Sequence, residues 1–267
     1  MKYSEHKKGF GTLFSILVIP ILLTVSILIY TFVFGDPSHF QGGDSNNLPI
    51  PGDYFGIIYK GGFIVPVLMT CLMMALTYSG ERFFAIYRAK GKGSVSLFLV
   101  NLKRHVADGD FEEARKVCRE QQGVLGNVCL SVLDTYASVS KDDAMAKDQK
   151  IRLIQKNCDE SIALELPALE QNLVVLATLS SISTLIGLLG TVLGMIRAFA
   201  ALANAGAPDS VALSAGISEA LINTALGIGS SAIAIIFYNI FTTQIDKIIH
   251  SIEEAGYALT QTFAERH

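Results

Sequence analysis

Two threonines, an asparagine and a glutamate stand inside segments otherwise built of apolar residues. Thr191 lies in Ile186-Gly-Leu-Leu-Gly-Thr-Val-Leu-Gly-Met195, and Glu219, Asn223 and Thr224 lie in Ile217-Ser-Glu-Ala-Leu-Ile-Asn-Thr-Ala-Leu-Gly-Ile-Gly-Ser-Ser231. An ionisable residue in lipid is costly and usually functional. Hydroxyls order water without fixed charge, and a carboxylate binds and releases a proton where its surroundings allow. A path lined by such groups suits protons or small cations. At ~100° per residue, Asn223, Leu226 and Ser230 fall within about 40° of Glu219, whereas Thr224 lies about 140° away and shares its side with Ser231. This helix is therefore expected to carry two polar faces. On the preceding one, Ser180, Thr184, Gly187, Thr191, Gly194 and Ala198 recur at steps of four and three and form one small, partly polar face.

Three glycines, Gly187, Gly190 and Gly194, interrupt the first of these stretches, and Gly227 the second. Glycine weakens a helix in water. In lipid, small residues four apart let two helix backbones approach closely. The four are expected to serve helix packing. Glu219 has a second reading, as a structural ion pair with Arg197 near the end of the preceding helix. No acidic residue stands near the middle of any apolar segment, so a mid-membrane carboxylate, if protons cross here, must come from another chain.

The elements that carry these residues follow from composition. The chain has 267 residues, 51% hydrophobic and only 17% charged, against roughly 25% charged in soluble domains, and its mean hydropathy is +0.43. Four stretches reach the ~20 apolar residues that a helix needs to cross a bilayer: 12–34, 62–79, 173–199 and 211–241. The net charge of -3 gives no sign of nucleic-acid binding. Cys71, Cys118, Cys129 and Cys158 lack metal-ligand or paired spacing and are expected to be reduced core thiols. No nucleotide loop, nucleophile elbow or metalloprotease helix is present, so no catalytic residue, cofactor or metal is assigned.

Lysine and arginine counts set the direction of the spans. Lys2, Lys7 and Lys8 precede the first span. The loop from Gly35 has no cation until Lys60, the segment from Glu81 to Ala168 holds the large majority, and the loop from Ala200 to Ser210 has none. Both termini and the middle segment are therefore expected inside. The first span is too long for a signal-peptide core and lacks a small-residue cleavage site, so it is expected to remain as an anchor. The organisation becomes 1–34 inner tip and first span, 35–60 outer loop of turns and one short helix, 61–81 second span, 82–168 helical inner region, 169–241 pore-forming hairpin and 242–267 inner tail. Within the inner region, Val95, Phe98, Leu99, Leu102 and Val106 keep helical spacing. Asp110 with Glu113 caps a helix from Phe111, which Gly123 stops. From about Asp143 one helix is expected to run through the third span, kinked at Pro167.

At these residues the chain resembles the MotA/TolQ/ExbB proton-channel family, most closely its ExbB branch. Glu81-Arg82 is similar to the pair that ends the corresponding helix of the family. Ile186 to Phe199 is similar to its GLLGTVxGMIxxF pattern, and Ser218 to Ile228 with Tyr238-Asn239 to its EALxxTAxGL…YN pattern. The likeness runs from about Gly61 to the tail. Ser183-Thr184 stands where the family often has proline, and Asn223 where it more often has threonine or alanine. The resemblance implies an all-α integral membrane protein in the inner membrane of a Gram-negative bacterium, with a three-span core plus an extra first span that packs peripherally and adds nothing to the pore. It implies a homopentamer in lipid around a dimeric, single-span ExbD- or TolR-like partner that supplies the missing aspartate, and a TonB- or TolA-like protein driven by proton flow. Thr191 and Thr224 match pore-facing threonines and Glu219 the family glutamate, with Asn223 and Thr184 beside the path. A TolQ-like role in envelope integrity, a gliding or secretion motor, and a non-conducting scaffold remain open. A solute carrier would show paired broken helices, and none is evident.

Overall fold

A computed structural model describes residues 5–141, 144–203 and 209–266. Lys2 of the basic flank, Asp143 at the expected start of the last inner helix, and 204–208 of the second outer loop lie outside them. The described chain is helical, with no strand beyond a single bridge between Phe40 and Pro49. Four helices are long and apolar enough to cross a membrane, and the protein is an all-α, multi-pass membrane protein. It divides into two compact units, 1–79 with 175–238, and 80–174 with 239–267.

In the first unit, α1 (Glu5–Leu28) passes into wider π-type turns over Ile29–Phe34. From Leu17 onward its side chains are mostly exposed, as suits contact with lipid; Val18 and Ser26 are buried, and Ser26 donates to the Pro66 carbonyl at 2.7 Å. The loop 35–60 is built of turns and the short helix α2 (Tyr54–Tyr59). Phe40, 2% exposed, anchors it. Lys60 Nζ donates to the Ser45 and Asn46 carbonyls at 2.8 and 3.0 Å, and its partial burial lowers the lysine's pKa. Asp53 caps α2 by accepting from the Phe55 and Gly56 amides, while its other oxygen lies 2.7 Å from His39 Nδ1. The His39 contact, with those amides, holds the Asp53 carboxyl below its ordinary range. The remaining helices are α3 (Ile64–Ala89), α8 (Leu173–Ala203) and α9 (Ser210–Arg266). At 57 residues, α9 is more than twice the ~20 needed to cross a bilayer.

The second unit packs α4 (Val95–Asp108), α5 (Phe111–Gln121), α6 (Gly123–Ser140) and α7 (Lys147–Glu170) with the end of α9. Phe98, Leu102 and Val106 turn inward from α4, as their spacing predicts. Tyr136 and Phe263, both fully buried, meet edge to face at 4.8 Å. Asp110 accepts from the Glu113 amide, the expected cap. Gly123 does not merely stop α5; it opens α6 with φ +65°, and Gly91 crosses it so closely that neither has room for a side chain. Cys118, Cys129 and Cys158 are buried free thiols, and burial pushes Cys118 up to about 12 and Cys158 to about 11, so they stay protonated and inert.

The expected continuous helix through Pro167 is corrected. Helix α7 runs past Pro167 to Glu170, and the chain breaks instead at Gln171–Asn172, where Asn172 takes φ +65°. Asparagine tolerates that left-handed conformation. The carbonyls of Ala168 and Leu169, left open by the break, accept from the buried Arg82 guanidinium at 3.3 Å each. Glu81 holds Arg82 in place and accepts from Asn172 Nδ2 at 3.2 Å. Arg82 therefore acts as a C-terminal cap delivered from another helix.

Two outcomes follow. An alanine Cβ at position 123 would fall 2.3 Å from the Ala89 carbonyl, whereas at Gly93, also at positive φ, it would meet nothing within 4 Å. Gly123→Ala should cost about 3 kcal/mol and Gly93→Ala about 1 kcal/mol, read as the relative increase in trypsin cleavage across 90–140. A carboxyl with a lowered folded pKa stabilises above its unfolded value and loses this as pH falls through the folded one. Protection of the Phe55 and Gly56 amides should therefore hold down to about pH 4 and fall below it; loss already at pH 6 would contradict the cap.

Candidate functional site

Helices α8 and α9 meet backbone to backbone. A Cβ on Gly187 would lie 2.9 Å from the Asn223 carbonyl oxygen, one on Gly194 2.8 Å from the Gly216 carbonyl, and one on Gly227 2.7 Å from the Ser183 carbonyl. At Gly190 it would strike the Asn223 side chain instead, at 2.4 Å from Cβ. The packing glycines predicted from the sequence thus line one antiparallel seam, joined by Gly216 and Ala220, which the sequence reading did not single out. Their spacing of three and four in the right register was the available signal.

The close approach sets the polar groups against each other. The Thr191 and Thr224 hydroxyls are in hydrogen-bond contact across the seam. Thr224 Oγ1 also lies 3.1 Å from the Ala220 carbonyl of its own helix, and Thr191 Oγ1 3.3 Å from that of Gly187. Each hydroxyl has one proton to give. Thr191 can donate to Thr224, which then donates to Ala220, or Thr224 can donate to Thr191, which then donates to Gly187. Both arrangements use the same heavy-atom positions. On the same side of α9 as Thr224, Ser231 donates to the Ser180 carbonyl. Thr184 is exposed and is not drawn into the threonine contact, because it stands two turns, about 10 Å, before Thr191 along α8.

The other polar face of α9 turns to the start of α3. Glu219, with a side chain 10% exposed, pairs with Arg197 of α8. The Arg197 guanidinium also lies 5.7 Å from the centre of the Phe63 ring, close enough for a cation–π contact. Asn223 is fully buried; its Nδ2 donates to the Gly61 carbonyl at 2.9 Å. A Cβ on Gly62 would lie 2.6 Å from Glu219 Oε1. The Gly61-Gly62-Phe63 turn was read only as the edge of a span. Two adjacent glycines at that edge were the one sequence signal of its role. Among the described residues, no group of three His, Cys, Asp or Glu side chains could hold a metal ion.

With this geometry in place, the chain can be compared with known proteins. Residues 128–254, which contain the whole seam, match the MotA/TolQ/ExbB proton channel family. The chain is 39% identical over 84 residues to the Tol-Pal system protein TolQ of Haemophilus influenzae, covering 32% of this chain and 37% of TolQ. It is 40% identical over 70 residues to the biopolymer transport protein ExbB of Salmonella typhimurium, covering 26% and 29%. A longer match, 25% identical over 203 residues, joins it to ExbB of Neisseria gonorrhoeae, covering 72% of this chain and 89% of that ExbB. In the first two, the match spans well under half of the relative's length.

The seam makes a sharp stability contrast within the family segment. Gly194→Ala should cost about 3 kcal/mol by forcing two backbones apart. Gly229→Ala, where a Cβ meets nothing within 4 Å on the same α9, should be neutral or gain up to about 1 kcal/mol. Thermal denaturation of the detergent-purified protein, followed by helical circular dichroism, separates the two.

Proposed function

We propose that this chain is the proton-channel stator subunit of an inner-membrane motor of the ExbB–ExbD–TonB kind, which uses proton-motive force to drive transport at the outer membrane. The observation that carries this is the Thr191–Thr224 hydroxyl contact at the centre of a family-matched helix pair. A hydroxyl pair that can reverse its donor direction without moving heavy atoms can pass a proton and reset. Glu219 supplies a carboxylate on the neighbouring face, and Arg197 balances its charge in a setting where an unpaired charge is costly.

The remaining parts of the proposal follow from this chemistry. Leu185, Leu188, Val192, Ile196 and Phe199 leave one side of α8 apolar and exposed, a surface suited to lipid or to a second copy in a homopentamer. A mid-membrane carboxylate would come from an ExbD- or TolR-like single-span dimer, and the working stroke would reach a TonB- or TolA-like protein. Both termini and the second unit would face the cytoplasm. The TolQ likeness favours a second reading, a subunit that maintains envelope integrity. A deletion strain separates them: lost energised uptake points to the first, and leakage of periplasmic enzymes to the second.

Thr191→Val keeps the shape of the side chain and removes its proton. Proton flux through the complex in proteoliposomes should fall at least about tenfold in Thr191→Val and in Glu219→Gln, with the oligomer still formed. Wild-type flux in both variants would overturn the proposal.

A further inference from the structure

The end of α2 and the turn that follows it, residues 59–63, bring Gly61, Gly62 and Phe63 against the Arg197–Glu219 pair and its neighbour Asn223. Phe63 places its ring by the Arg197 guanidinium. Gly62, at φ +77°, brings bare backbone against Glu219 Oε1, where a Cβ would stand 2.6 Å away. Gly61 accepts from Asn223 Nδ2 at 2.9 Å. Tyr59 accepts, through its carbonyl, from the Tyr30 hydroxyl at 2.9 Å, and the two tyrosine rings stack at 4.7 Å. Tyr30 belongs to the π-type turns that end the first span. The wider turns add a residue without breaking the helix. At their end, a Cβ on Gly35 would meet the Tyr59 ring at 2.7 Å, so the chain leaves the span pressed on that same residue.

These contacts are unlike those of a span that merely fills lipid space. From Leu17 onward most of the first span is exposed, yet two polar contacts that tie it to the rest of the chain, the buried Ser26 to Pro66 and the half-buried Tyr30 to Tyr59, land on the second span and on the end of α2 that leads into it. The expectation that the first span adds nothing to the pore does not account for them.

We infer that residues 59–63 form a collar that positions and shields Glu219, and that the first span, through Tyr30, is the brace that holds the collar closed. Tyr30, Gly62 and Asn223 are positioning residues for Glu219, and the inference rests on the proposed place of Glu219 in the proton path. The collar fixes which side of the carboxylate is open. Gly62 covers Oε1 on one side and the guanidinium on another, so a proton reaches Glu219 only where the turn leaves it bare. A side chain at position 62 would push the carboxylate off Arg197. Loss of the Tyr30 hydroxyl would leave the Tyr59 carbonyl with the Gly62 amide alone, at 3.1 Å, and loosen the turn while keeping the stacked ring.

The test uses membranes that contain the full chain and dicyclohexylcarbodiimide, a hydrophobic carboxyl reagent, with the labelled residue located by peptide mass spectrometry. Glu219 in the native chain should react slowly. Its labelling rate should rise about tenfold in Gly62→Ala and about threefold in Tyr30→Phe, and the site should vanish in Glu219→Gln. A merely structural role would lower the amount of extractable protein without opening Glu219 to the reagent. Where Gly62→Ala fails to accumulate, Tyr30→Phe alone decides. Native labelling rates at Glu219 in the folded variants would overturn the collar. Normal proton flux in Glu219→Gln would instead overturn the proton-path assignment, and the labelling rates would still report whether the collar exists.

Discussion

The contact of α8 with α9 at bare backbone is the constraint on which the rest of the site depends. Gly187 against Gly227, and Gly194 against Gly216, let the two helices approach to a distance that no side chain permits. Without that approach, the Thr191 and Thr224 hydroxyls could not meet, because threonine hydroxyls reach little beyond their own backbone. The seam also fixes the rotation of α9. Turning Thr224 and Ser231 toward α8 sends Glu219 and Asn223 to the start of α3. The two polar faces are consequences of one packing decision, and each finds partners the other cannot reach.

Charge is handled in the same economical way. Arg197 answers Glu219, and the Phe63 ring lies beside the guanidinium. A second arginine, Arg82, plays a different part, since its guanidinium closes the open end of α7 where the chain turns into α8. These two cations thus serve either a carboxylate or unsatisfied carbonyls, the two acceptors that would be most expensive to leave alone.

Much of this was legible in the sequence. The jump from charged to apolar residues marks Leu173 as the start of a span, though not the helix break before it, and the period of Phe98, Leu102 and Val106 marks the inward face of α4. The glycine spacing and the wheel positions of Thr224 and Glu219 foretold which groups would share a side. What was hidden was set by partners far away in the chain. The break before α8 rests on Asn172 in a left-handed conformation and on an arginine almost ninety positions earlier, while Pro167, the obvious breaker, is carried inside a helix. The Gly61–Asn223 bond joins residues 162 positions apart, and no local pattern announces it.

The seam also limits how this pair of helices can change over time. At Gly187, Gly194, Gly216 and Gly227 the opposing atoms are backbone, which no substitution on the facing helix can trim. Such positions are frozen one at a time, with no compensating partner. Gly190 is different, because what faces it is the side chain of Asn223. Those two residues can vary together: a smaller residue at 223 makes room for a larger one at 190. Covariation along this interface should therefore concentrate at one pair.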